Sequence, residues 1–103
     1  MLIAKVTGSL VATQKVGSMT GHKMLLVEPY RLDPQTRGGL VTTGRSMVAV
    51  DTVGAGEGEL VLITQGSSAR LTPETKTLPV DTVIIGIIDT VHVGPACVYH
   101  KES

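Results

Sequence analysis

Aromatic side chains are nearly missing from this sequence, which holds two tyrosines and neither phenylalanine nor tryptophan. A core built from it must be aliphatic, and the flat platforms on which single-stranded nucleic acids stack are scarce. Cysteine is scarcer still. Cys97 is the only one, so no internal disulfide is available and a cytosolic setting is expected. An excess of either charge is also lacking: nine basic and nine acidic residues cancel. A balanced surface gives no electrostatic pull toward nucleic acid or anionic lipid. No apolar run approaches transmembrane length, and Met1-Leu2-Ile3-Ala4-Lys5 is not a basic stretch leading into a long apolar one. The expectation is a chain that is neither exported nor membrane-anchored.

What the sequence does have is β-branching. Fourteen valines, six isoleucines and thirteen threonines make up a third of its 103 residues, which favours packed sheet over helix. The length predicts one domain over residues 1–103 with a modest core. The fold class is all-β, a set of strands that suits a small barrel, with one short helical turn. Residues 2–13 read as a first strand, with Leu2, Ala4, Val6, Leu10 and Ala12 on one face. Gly8 marks a bend or bulge within it. A second strand spans 23–30, with Pro29 at its end because proline cannot donate a ladder bond. Residues 31–45 form the longest irregular segment, within which 40–43 allow a short extension. Strands follow at 46–53 and 59–65, joined by the tight turn 54–58. Gly66 breaks the chain, with Ser67 or Ser68 as the cap of a single helical turn. Residues 72–80 are a loop, 81–93 the longest apolar strand, and 96–101 a final edge strand.

Two stretches are apolar on both faces. In 81–93 the odd positions Val83, Ile85, Ile87, Val91 and Val93 share one face, and Ile84 and Ile88 the other; Leu60, Val61, Leu62 and Ile63 are continuous. A small barrel has only one interior, so a second burial surface is required. A neighbouring copy supplies it more economically than a lid made of the chain's own loops, and burial at roughly 25 cal/mol per Å² can drive such association.

Chemistry is harder to find. Gly54-Ala55-Gly56-Glu57-Gly58 lacks both the G-x-G-x-x-G spacing before a helix and the Lys-Ser/Thr pair of a phosphate loop; a hairpin turn with glycines at positive φ fits better. His22, His92, His100 and Cys97 match no zinc-ligand spacing, so no metal or other cofactor is expected. A triad assembled from Ser67, His92 and Asp89 lacks a nucleophile elbow. Asp51, Asp81 and Asp89 lie in or beside apolar strands, where a carboxylate needs a partner. Structural pairing, with Arg70 as one partner, is preferred to a catalytic role.

Five stretches carry a family resemblance. They are Ala4-Lys5-Val6-Thr7-Gly8 with Val11-Ala12-Thr13-Gln14-Lys15; Gly21 with Lys23-Met24-Leu25-Leu26-Val27; Val48-Ala49-Val50-Asp51-Thr52-Val53-Gly54-Ala55-Gly56 with Gly58-Glu59; Gly66-Ser67-Ser68-Ala69-Arg70; and Pro79-Val80-Asp81 with Ile85-Gly86-Ile87-Ile88-Asp89. In this order the chain resembles the EutN/CcmL family, the vertex proteins of bacterial microcompartment shells, both carboxysomes and metabolosomes. The resemblance implies a small closed β-barrel related to the OB fold, of about five or six strands, and a non-catalytic homopentamer that caps shell vertices in the bacterial cytoplasm, beside hexameric and trimeric shell proteins. Asp51, Gly54, Ala55, Gly56, Gly58, Glu59, Gly66, Ser67, Ser68, Ala69, Arg70, Asp81, Ile85, Gly86 and Asp89 are its motif and assembly positions. The 31–45 segment looks longer than in several relatives. The alternative from another class is an OB-like module binding single-stranded nucleic acid, against which zero net charge and the missing aromatics weigh. A small hydrolase is a more distant one.

Overall fold

The β-branched sequence folds into strands in the computed structural model, which describes residues 1–12, 17, 21–33, 35, 39–66 and 81–101. Among these residues are β1 (Leu2–Leu10), β2 (Lys23–Leu32), β3 (Leu40–Thr42), β4 (Met47–Asp51), β5 (Leu60–Gln65), β6 (Thr82–Ile87), β7 (Thr90–Val93) and β8 (Ala96–His100). The predicted helical turn at 67–70 and the loop 72–80 lie outside the described residues.

Five strands close on themselves. β1 pairs antiparallel with β5 and with β2, β5 antiparallel with β6, and β2 antiparallel with β4. β4 and β6 run parallel and complete the circuit. Closure leaves no open sheet edge in the barrel itself. β3 adds to the far half of β2, and β7 and β8 form a separate hairpin. The interior is aliphatic, as the composition requires: Ala4, Val6, Leu25, Val27, Ala49, Val61, Ile63 and Ile84 meet there with Ala55.

Two bulges in the barrel reset the pleat and correct the predicted faces. A bulge inserts one unpaired residue and so reverses the in–out alternation beyond it. In β1 the register shifts between Val6 and Gly8, at the predicted bend. Beyond it Leu10 pairs with Met24 and lies 38% exposed, so the face that starts with Ala4 and Val6 does not continue to Leu10. In β6 the extra residue is Ile85. Ile84 opposes Ile63 and Ile87 opposes Val61, so both point into the barrel, while Val83 opposes Thr64 on the outside. The odd–even division predicted for 81–93 therefore fails at Ile85. Nor is that stretch one strand. It divides at residues 88 and 89, where Ile88 still donates to the Leu60 carbonyl at 2.9 Å. Apolar alternation records burial, not a change of pairing partner.

Pro29 does not end β2. It lies inside the strand, buried, opposite Ala4. On its other flank β4 pairs with residues 23–27 and β3 with 30–32. The Pro29 carbonyl accepts from Thr43 N at 3.2 Å and Thr43 Oγ1 at 2.8 Å. Because N and C=O of a strand residue point the same way, its missing N–H falls at this gap between two pairing segments, where no ladder bond is lost. The segment read as irregular over 31–45 is accordingly shorter: Arg31 and Leu32 belong to β2, and Leu40–Thr42 form β3, the short extension expected within 40–43.

The outer face is only partly uncovered. Val50 and Val83 are buried outside the barrel core, with Met24 and Ile85 packed against them. One chain thus hides part of the second apolar surface that was expected to need a partner. Val48 remains 44% exposed, and Met24, Leu26, Leu62 and Ile85 are half-buried.

Candidate functional site

The glycine-rich motif plugs one end of the barrel. β4 ends at Asp51, whose Oδ1 accepts from Val53 N at 3.0 Å and Gly54 N at 3.1 Å, and whose Oδ2 accepts from Ala55 N at 2.9 Å. One carboxylate therefore folds the following chain around itself. Gly54 at φ 79° and Gly58 at φ 89° adopt the left-handed conformation that favours glycine. Between them Ala55 is buried in the barrel core, so a small apolar residue is needed there. A Cβ on Gly56 would lie 3.3 Å from Glu59 Oε1. That same oxygen accepts from Gly56 N at 2.5 Å.

The turn is then sewn to its neighbours. Gly58 N donates to the Val6 carbonyl at 2.8 Å, and Val6 N to the Glu59 carbonyl at 2.9 Å. Lys23 Nζ donates to the Ala55 carbonyl at 3.2 Å, and Thr52 Oγ1 to the Ile84 carbonyl at 2.7 Å. Glu59 Oε2 forms an ion pair with Lys101 Nζ at 2.7 Å, just after β8. The hydrogen bond from Lys101, followed by that from Gly56 N, holds the Glu59 carboxyl below its ordinary range. The same bond raises the Lys101 ammonium above its usual value. Lys101 N also donates to the Asp89 carbonyl at 2.7 Å, so the base of the β7–β8 hairpin is fastened to the turn's neighbourhood.

Chemically, the arrangement is self-sufficient. The N–H groups of Val53, Gly54, Ala55 and Gly56, which a phosphate would require, already serve two carboxylates. The motif shapes a surface.

The remaining motif positions are more dispersed. Gly66, at φ 65°, ends β5 and donates to the Asp81 carbonyl at 2.8 Å. Ser67, Ser68, Ala69 and Arg70 lie outside the described residues. Asp81 and Asp89 flank β6 and are exposed, which corrects their reading as carboxylates in need of buried partners. Asp51 is satisfied by backbone N–H groups; Arg70, expected to partner one of these carboxylates, lies outside the described residues. Gly86 opposes Leu62, with room for a Cβ at 3.8 Å from the Leu62 Cβ. The sequence reading gives no role to Lys23 and Thr52, although both lie in the family stretches, nor to Lys101. All three are far in sequence from the groups they bond, and no spacing pattern points to them.

Residues 1–89 match the family described as ethanolamine utilisation protein EutN/carboxysome. The chain belongs to this EutN/CcmL family. It is 42% identical over 101 residues to the bacterial microcompartment shell vertex protein EutN of Escherichia coli strain K12, covering 98% of this chain and 100% of that protein. Its fold is similar to that of Gloeobacter violaceus CcmL, with a TM-score of 0.85, 42% identity and 98% of each chain covered. It is also similar to GrpN of Rhodospirillum rubrum, a pentameric microcompartment shell protein, with a TM-score of 0.72 and 40% identity over 90% of this chain and 98% of that one. EutN/CcmL membership does not favour the nucleic-acid-binding alternative.

Proposed function

We propose that this chain is a structural, non-catalytic subunit that forms a homopentamer and caps the vertices of a bacterial microcompartment shell in the cytoplasm. Residues 1–103 act as one barrel domain. The observation that carries this reading is the apolar outer face that a single chain leaves incompletely covered, at Val48, Leu62 and Ile85. A closed ring needs a head-to-tail contact between two different patches of the same subunit, and burying this face would supply part of its driving force. The shell-vertex role of EutN and the pentameric state of GrpN support the same reading. The 51–59 turn, Gly66, the 67–70 stretch, Asp81, Ile85, Gly86 and Asp89 give the subunit the shape on which the ring depends. Hexameric and trimeric shell proteins are its neighbours, because flat hexagonal tiling closes only where five-fold units add curvature.

Reconstitution tests this. Hexameric shell protein co-assembled with the chain should give closed polyhedra in electron micrographs, whereas hexamers alone should give sheets, tubes or shells with open corners. Closed corners of equal frequency with and without the chain would contradict the proposal.

A further inference from the structure

The end of the barrel opposite the 51–59 turn has a different character. A cleft of about 240 Å³ opens where β1 begins, β2 and β5 end and β4 begins. Its apolar wall comes from Leu2, Pro29 and Met47, residues that continue the inward-facing rows of their strands. Tyr30 lines it, and so do Arg31, which pairs with Val41 within the short β2–β3 extension, and Arg45, between β3 and β4. Among the described residues lining it, none is acidic. Among the described residues, neither arginine takes part in an ion pair.

Two guanidiniums in one cleft, with no carboxylate among its described lining residues, form a local positive site on a chain whose net charge is zero. Guanidinium presents a planar fork suited to carboxylate or phosphate. The aliphatic wall distinguishes these two, because phosphate offers nothing for Leu2, Pro29 and Met47 to bury. Barrel mouths are recurrent ligand sites, and this volume lies below the range of about 300–1,000 Å³ that holds drug-sized molecules. We propose that this barrel mouth is a binding site for a small organic acid, with the carboxylate on Arg31 and Arg45 and a short aliphatic stem against Leu2, Pro29 and Met47. The inference does not depend on the shell-vertex reading.

The full-length protein, in whatever assembly it forms, can be titrated with butyrate while the methyl signals of Leu2 and Met47 are followed by NMR. Inorganic phosphate and 1-butanol serve as controls. Saturable shifts are expected with butyrate, at least about 10-fold weaker affinity in the Arg31→Ala/Arg45→Ala double variant, and weaker responses to both controls. No saturable shift, equal affinity in the double variant, or phosphate binding as tight as butyrate would overturn the proposal. Butyrate-independent loss of self-association in the double variant would overturn it as well, because the carboxylate would then belong to a neighbouring copy.

Discussion

The two ends of this barrel differ in how tightly they constrain their residues. At the plugged end each residue type answers to a bond or a space. Asp51 holds three N–H groups, Ala55 fills a core position, Gly54 and Gly58 take positive φ, and Glu59 binds Gly56 and Lys101. At the mouth, Leu2, Arg31, Arg45 and Gln65 are exposed and line a cleft. The first end uses its polar groups in bonds within the subunit. The second leaves side chains available for something outside the chain.

The largest expected effect comes from removing the acceptor at the plugged end. Asp51→Ala strips three N–H groups of their partner, one of them on a buried residue, and should cost about 3 kcal/mol. Urea unfolding at fixed protein concentration measures it, the concentration being held because any assembly shifts the midpoint. Ala55→Leu, which overfills the core, should cost about 2 kcal/mol by the same measurement. Arg45→Ala at the mouth should fall within about 0.5 kcal/mol of the parent. A mouth substitution as damaging as Asp51→Ala would break the comparison.

The smallest effect concerns the hairpin and sharpens the picture of how the plugged end reaches beyond itself. Glu59 has a depressed pKa, so its contribution is present above the unfolded carboxyl value and fades as pH falls through the folded one. Lys101 has a raised pKa, so its contribution is present below the unfolded ammonium value and fades as pH rises through the folded one. The pair is therefore intact across neutral pH and weakens toward both extremes. Amides of β7 and β8 should exchange a few-fold faster in Lys101→Ala at neutral pH, and the difference from the parent should shrink in acid. High salt should diminish it as well, since the pair is partly exposed. Identical exchange in parent and variant would show that the ion pair does not fasten the hairpin.

Local chemistry was the legible part of the sequence. Gly8 announced its bulge, and the glycines of 54–58 announced a turn with positive φ at Gly54 and Gly58, because each effect resides in a residue and its immediate neighbours; the turn is not the expected hairpin, since β4 and β5 flank β6 and do not pair with each other. The aliphatic barrel followed from β-branching without aromatics. The misreadings arose where the answer depends on another strand. Pro29 sits inside β2 because of where β3 and β4 end. The inward position of Ile87 depends on the extra residue at Ile85. The 81–93 stretch divides because β7 prefers β8 to the barrel. At the candidate site Asp51, Ala55 and the glycines were found by motif, whereas Lys23, Thr52 and Lys101 reach it only through the fold.

The outer apolar face also tempers the argument for assembly, since Val50 and Val83 are already buried in one chain. What is left at Val48, Leu62 and Ile85 must be covered by another copy if the proposed ring exists. Native mass spectrometry of the purified full-length chain at micromolar concentration decides this. The account predicts a dominant species of five copies; a stable monomer would contradict it.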